Sequence, residues 1–352
     1  MEIGSEFWLE KLENKNSNWT ENKNEILLMS GRTAIDLAIN TINRYNRIKR
    51  VYMPSYCCES MLVAFRENNI EIEFYNVIFQ NGKLIYDIDT NKCCDIFFAM
   101  NYFGFSSYNM DEYIEKFKAR NITVLEDSTH SFLSKRKYND KSDIVIASLR
   151  KWFPIISGAI LILNNKKYIG SLEELKKYLT ENEEYSNLKE KAMLQKSKYI
   201  KEDKSIDKNI FLNNFKQSNE ILKLNFKNHK IDYKSKEILK QIDKEEVIKA
   251  RRKNAKMIYE FLNKQKKVNY LKDVDFENDT PLFIPIFLEG QERDKLKKYL
   301  VQNNIFCPIH WPIPSIINSE KQKEIYNMEL SLICDQRYSE KDILSYINLI
   351  NI

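Results

Sequence analysis

Lys151 lies between two apolar runs in the stretch I-A-S-L-R-K-W-F-P-I-I-S-G-A-I-L-I-L, residues 146–163. An ammonium held at the end of a buried strand loses hydration, so its pKa falls and the neutral amine can attack a carbonyl carbon. That is Schiff-base chemistry, and Ser148 stands one turn before the nucleophile. An earlier apolar segment, Ile122 to Leu125, ends in Glu126-Asp127, and His130 follows three residues on. A carboxylate and an imidazole at one strand end could hold and pass protons beside that amine. A third group, Ser30-Gly31-Arg32-Thr33, precedes apolar residues at helical spacing, namely Ala34, Ile35, Leu37, Ala38, Ile39 and Ile42. Free N–H groups at such a helix start, with the hydroxyls of Ser30 and Thr33, suit a phosphate. Taken alone, Ser30 or Thr33 reads more simply as a helix cap, Arg32 could equally point to solvent, and His130 could be a satisfied core histidine.

These groups need a scaffold that brings strand ends together. Short strands are expected at Val51–Pro54, Ile72–Val77, Cys94–Met100, Ile122–Leu125 and Ile144–Ala147. Helices are expected through Ala64-Phe65 and over Met110–Arg120, and a polar loop after Val77. Alternation at this interval predicts βαβ units and a parallel sheet, whose ligands sit beyond the carboxyl ends of the strands. Asp127 and Lys151 then face one cleft. From Lys166 to about Lys249 the sequence is rich in Lys, Glu and Asn at helical spacing, and runs such as Lys189 to Lys204 read as solvated helix faces. A helix over Glu245–Leu262 is expected to lead into a second unit with a strand at Leu282–Leu288, a helix at Gln291–Asn303 and a closing helix from Glu340. The expected division is a polar, Asn-rich N-terminal arm at 1–24, either a short arm or a poorly ordered lead-in, then a large domain at 25–244 and a small one at 245–352.

Composition narrows the class. The 352 residues carry a net charge of +6, from 56 basic and 50 acidic side chains in mixed-sign runs. This suits a solvated surface and gives no concentrated nucleic-acid face. No run approaches the ~18 apolar residues of a membrane span, and the N-terminus has no signal-peptide pattern, so a cytoplasmic protein is expected. The six cysteines, including the pairs Cys57-Cys58 and Cys93-Cys94, lack C-x-x-C spacing and read as buried free thiols. The three histidines, His130, His229 and His310, are too scattered to suggest a catalytic metal.

The order of the pieces S-G-R-T-A-I, E-D-S-T-H-S and S-L-R-K-W resembles the fold type I pyridoxal-phosphate enzymes, most closely the DegT/StrS sugar aminotransferases. Y-M-P-S-Y, N-Y-F-G and A-R-R-K-N-A match further segments of that family, and C-P-I-H-W and L-I-C-D-Q-R-Y are similar to a divergent branch. The resemblance covers most of the chain from about residue 26. It implies an α/β fold, an aminotransferase-like three-layer sandwich with a mostly parallel central sheet plus a smaller C-terminal α+β domain, with the large domain binding pyridoxal 5′-phosphate.

The same resemblance assigns roles. Lys151 would carry the cofactor, Asp127 would hold the proton on its pyridine nitrogen, and His130 would bind its phenolic oxygen. Ser30, Gly31, Arg32, Thr33 and Ser148 would take the phosphate. Where the family stacks an aromatic on the cofactor this sequence has Cys58, so Tyr56 or the Tyr102-Phe103 turn is the expected partner. Asn228-His229-Lys230 stands for the family segment that reaches the neighbouring subunit's cofactor, and a homodimer is implied. His310, Trp311 and Arg337 could contribute to a substrate pocket, or form a rigid turn and a surface pair. The implied activity moves an amino group from glutamate to the keto group of a nucleotide-linked sugar. Another amino or keto substrate, dehydration or decarboxylation on the same cofactor, and a non-catalytic regulator or scaffold are the alternatives. The last is disfavoured because Asp127 and Lys151 are both present.

Overall fold

A computed structural model describes residues 2–9, 19, 21–201 and 207–350. The strands in chain order are β1 (Ile3–Gly4), β2 (Glu25–Leu28), β3 (Arg50–Pro54), β4 (Glu71–Gln80), β5 (Lys83–Asp87), β6 (Ile96–Met100), β7 (Thr123–Asp127), β8 (Ile144–Ala147) and β9 (Ala159–Leu163). Strands β2 to β9 form one eight-stranded sheet in the order β2-β9-β8-β7-β6-β3-β4-β5. The middle, β4-β3-β6-β7-β8, is parallel, while β9, β2 and β5 join antiparallel. Strands β6 to β9 are buried at every position, as the unbroken apolar runs require of a sheet covered on both faces. Helices α1 (Gly31–Asn43), α2 (Glu59–Glu67) and α3 (Asp111–Ala119) alternate with the strands. The mostly parallel α/β sheet predicted from the sequence is therefore present.

The expected polar loop after Val77 is instead the end of β4 and a hairpin into β5. Asn81 and Gly82 form its two-residue turn, both with positive φ, 52° and 77°. An Asn-Gly pair between alternating strands is the local signal for this turn, since both positions need left-handed backbone.

Helix Lys244–Leu262 leads into the C-terminal part, where β10 (Asn269–Tyr270), β11 (Ile284–Phe287) and β13 (Glu329–Leu332) form a three-stranded antiparallel sheet. The A-R-R-K-N-A segment ties this part to the lysine turn. Arg251 is buried over the Trp152 ring at 4.6 Å and donates to the Leu282 carbonyl at 3.0 Å, while Gln336 Nε2 donates to the Trp152 carbonyl at 2.7 Å. Asn254 Nδ2 holds the carbonyls of Asp335 and Tyr338.

Residues 2–9 of the expected arm are anchored: β1 pairs in parallel with β12 (Ile305–Phe306), and Trp8 is buried. Residues 1, 10–18 and 20 of the expected arm lie outside the described residues. The same segment explains a departure from the solvated face expected at Lys189–Lys204. Lys189 and Lys196 are buried because residues 5–8 lie over their helix, Glu183–Lys201. Lys189 Nζ pairs with Glu6 Oε2 at 3.1 Å, and Lys196 Nζ donates to the Glu6 carbonyl. Cys93 departs too: of the six free thiols it alone is exposed, just ahead of β6.

After β6 the chain turns sharply through Phe103 (φ 57°) and Gly104 (φ 94°). A Cβ at Gly104 would lie 2.4 Å from the Thr280 carbonyl oxygen and 2.9 Å from that of His130, both backbone atoms that cannot swing away. Gly104→Ala is therefore expected to destabilise the fold by about 2–4 kcal/mol in denaturant titrations, through strain at positive φ plus overlap. A loss below about 1 kcal/mol would mean that the turn is plastic.

Candidate active site

Parallel register sets Asp127 at the end of β7, opposite Met100 of β6 on one side and Ile146 of β8 on the other. Beyond these strand ends lies a cavity of about 220 Å³. Its walls include Ser30, Gly31, Arg32, Cys58, Asp127, Thr129, His130, Ser148, Arg150, Lys151, His310 and Trp311. Lys151, Asp127 and His130, three separate sequence signals, thus share one cleft.

Asp127 is buried, and its Oδ1 accepts the Thr129 backbone N–H at 2.8 Å. Burial pushes its carboxyl up to about 6, although the bonds from Thr129 pull the other way. Thr129, which the sequence did not single out, joins the two catalytic turns. Its Oγ1 accepts the Ser148 N–H at 3.0 Å, and its carbonyl accepts the Trp152 indole N–H at 2.6 Å. The Asp-x-Thr spacing, where a carboxylate caps the N–H two residues on, was the available signal. Glu126, whose side chain leaves the opposite face of β7, is not part of the cleft. It accepts from Asn101, Asn139 and Ser142, and burial raises it to about 7.

Lys151 ends a short 3-10 turn, Leu149–Lys151, that leaves β8 directly. Its side chain meets solvent in the cleft, yet protein surrounds that space closely. Lost hydration, then the neighbouring Arg150 guanidinium, lowers its ammonium below the usual lysine range, while Glu6 and Cys58 oppose the shift. His130 is buried, and its Nδ1 accepts the Phe103 N–H at 3.1 Å. The neutral ring must then carry its proton on Nε2. Burial, then the neighbouring His310 and Lys151, keeps it well below the ordinary histidine value, hence neutral.

The S-G-R-T segment divides its work. Ser30 caps α1, its Oγ accepting the Thr33 N–H at 3.2 Å, and the Thr33 hydroxyl donates to the Phe226 carbonyl at 2.7 Å. Ser30 Oγ and Thr33 Oγ1 also lie 2.8 Å apart. These hydroxyls serve the protein itself, and Thr33 lies behind the cavity wall. The backbone N–H groups of Gly31 and Arg32 have no partner among the described residues. Ser148 Oγ and Arg32 Nε are likewise buried without one. A Cβ on Gly31 would approach Ser148 Cβ to 3.4 Å, so glycine keeps this corner open. Unused donors at a positive helix end form a site for an anion. Arg32 does not point to solvent: one Nη donates to the Leu222 carbonyl at 3.0 Å, and the guanidinium lies over Phe226.

Tyr56 and Tyr102 are fully buried and stack on each other, 5.5 Å apart, behind the cleft rather than in its wall. The Tyr102 hydroxyl is spent on the Tyr56 carbonyl. Cys58 does line the cleft, with its Sγ 2.9 Å from Ser60 Oγ. The aromatic side chain in the wall is Trp311, which touches Tyr56 at 5.2 Å and His130 at 5.7 Å. Arg337 is away from the cleft, paired with Asp335 and donating to the carbonyls of Ser5 and Glu6. Asn228 is exposed, and its carbonyl accepts the Thr180 N–H at 3.1 Å, so it too lies outside this chain's own cleft.

Asp127 gives a sign to the pH dependence of the protein measured without ligand. Its folded value of about 6 lies above the ordinary 3.8. The neutral carboxyl is tolerated below the lower value, and the cost of burying charge is complete above the higher one. Asp127→Asn should therefore stabilise the protein without ligand at pH 8, by an amount on the order of 3 kcal/mol, with the gain fading towards pH 4. Thermal melts of both proteins across that range check it, and an equal effect at both ends would contradict it.

No protein-family model matches the sequence. No curated protein matches it either. Solved structures do. A DegT DnrJ EryC1 StrS aminotransferase from Brucella abortus superposes with a TM-score of 0.64 at 14% identity, covering 93% of this chain and 84% of the other. A Streptococcus pneumoniae protein in its PMP form gives 0.65 at 14% identity, with 94% and 90% covered. DesI, solved in the presence of its TDP-sugar product, gives 0.63 at 11% identity, with 93% and 79% covered. The chain therefore has the aminotransferase fold of these proteins, over nearly its whole length.

Proposed function

We propose that the protein is a pyridoxal-phosphate-dependent aminotransferase that moves an amino group, with glutamate as donor, onto a keto group of a nucleotide-linked sugar. The carrying observation is that Lys151, Asp127 and His130 meet the unpartnered donors of Gly31, Arg32 and Ser148 in one cleft. The likeness in fold to DesI, solved with a TDP-sugar product, supports the substrate class.

The residues fit the cofactor by their chemistry. The N–H groups of Gly31 and Arg32, the Ser148 hydroxyl and the Arg32 guanidinium would hold the phosphate, relieving donors that are otherwise unmatched. Asp127, costly to ionise where it lies, becomes a comfortable carboxylate once a protonated ring nitrogen faces it. His130, neutral with Nε2–H, would donate to the ring oxygen. Trp311 offers a flat apolar face in the same wall, and Cys58 lines it too. Bound pyridoxal phosphate supplies an electron sink for the carbon that bears the amino group. Lys151 Nζ would hold the cofactor and would carry the proton to and from that carbon. The lowering of its pKa favours the neutral amine for that work. Arg150, whose Nε is buried without a partner, adds positive charge for an anionic substrate.

We also propose that two copies assemble, with the exposed Asn228 segment serving the neighbouring cleft, and that the protein works in the cytoplasm. Among the described residues no helix is long and apolar enough to cross a membrane.

Wild-type protein mixed with pyridoxal phosphate is expected to show a visible chromophore, and borohydride should fix the cofactor on the peptide bearing Lys151. Glutamate should convert the cofactor to its amine form, and a panel of keto-sugar nucleotides should yield an amino sugar detectable by mass spectrometry. Lys151→Ala should lower turnover by at least about 10³-fold, since it removes both nucleophile and proton carrier. A chromophore that survives in that variant would sink the assignment.

A further inference from the structure

The cleft holds a second histidine whose surroundings are unlike those of His130. His310 enters from the segment between β12 and β13, and its ring lies 5.5 Å from that of His130, nearly perpendicular at 78°. Its Nδ1 is 2.8 Å from Ser331 Oγ, and Ser331 Oγ is 2.5 Å from Glu329 Oε1. Glu329 is fully buried, and its other oxygen accepts the His310 backbone N–H at 2.6 Å. The Nδ1 to Oε1 distance is 3.6 Å, so the serine relays the contact.

Proton counting decides the tautomer. An ionised Glu329 can only accept, so the single hydroxyl proton of Ser331 goes to it. Ser331 must then accept from the ring, which places the imidazole proton on Nδ1 and leaves Nε2 as a bare lone pair. The buried Arg293 guanidinium lies beside Glu329 and donates to the Glu329 and Tyr326 carbonyls at 3.3 and 3.0 Å. For His130 the backbone N–H of Phe103 enforces the opposite tautomer. The cleft thus presents one imidazole as donor and the other as acceptor.

Building on the keto-sugar reading, we propose that His310 is a substrate-contacting acceptor whose Nε2 takes the O–H of a hydroxyl neighbouring the reacting carbonyl, and that Ser331 and Glu329 are positioning residues that fix its tautomer. Such a pair recognises a hydroxyketone, with carbonyl and hydroxyl side by side, over a simple ketone. A buried acceptor left unmatched by a deoxy analogue should cost about tenfold to a hundredfold in kcat/KM.

The test has two readouts. In protein with ¹⁵N-labelled histidine, long-range proton–nitrogen spectra should show the His310 signal, assigned by its loss in His310→Gln, as the Nδ1–H form. Glu329→Gln should reverse it. The amide oxygen is retained by the His310 N–H, so the NH₂ faces Ser331 and turns its proton toward Nδ1. In kinetics with the keto-sugar nucleotide, Glu329→Gln should raise KM and lower kcat/KM about tenfold or more. It should leave the glutamate half-reaction and the cofactor chromophore as in wild type. Nε2–H in wild type, or no reversal in Glu329→Gln, overturns the proposal without touching the aminotransferase reading. So does unchanged kinetics in both His310→Gln and Glu329→Gln. Wild-type protein that forms no amino sugar overturns both. Should His310→Gln fail to fold, Ser331→Ala, which breaks the relay, gives the assignment and the same kinetic comparison.

Discussion

The backbone N–H of Thr129 on the carboxylate of Asp127 is the contact on which the rest of the site depends. It places a buried acid at the end of a parallel strand and, through the Thr129 hydroxyl on the Ser148 N–H, locks the next strand's exit to it. Lys151 leaves that exit in a single tight turn, so acid and amine are held by one short chain of hydrogen bonds. The sheet supplies the rigidity, because β7 is paired on both sides and every residue in it is buried. Burial raises the acid, and lost hydration with the Arg150 guanidinium lowers the amine, the two directions that disfavour charge on either group.

A similar economy governs the helix start. Ser30 and Thr33 satisfy each other and the Phe226 carbonyl, which stiffens the first turn of α1. What remains for a ligand is backbone: two N–H groups, with Ser148 Oγ and Arg32 Nε beside them. Such an arrangement is preorganised, since rigid donors need not be gathered when the anion binds.

The C-terminal part closes the cleft from the other side and brings its own polar order. Arg251 and Gln336 bridge it to Trp152, immediately after the lysine. The loop carrying His310 and Trp311 is held by Glu329 and Ser331 of β13. The N-terminal segment adds a clasp, with Glu6 against Lys189 and Arg337 on its carbonyls.

Much of the cleft was legible in the chain itself. Apolar runs ending in Asp127 and Ser148 determine two buried strands and put their polar ends at a surface, because period and burial are local properties of the sequence. The S-G-R-T start and the helical spacing after it likewise mark α1. Tertiary structure decided what pairing and packing decide. It turned Tyr56 and Tyr102 into a buried stack and put Trp311 in the wall in their place, since which aromatic faces a cavity depends on elements more than 200 residues apart. It assigned the hydroxyls of Ser30 and Thr33 inward, because their acceptor at Phe226 comes from a distant loop. It buried Lys189 and Lys196, which any local reading leaves in water, by laying residues 5–8 across them. The chemistry-bearing residue types and their strand-end positions were thus determined by the sequence alone, whereas their partners, and so their charge and proton states, came only from contacts between distant segments.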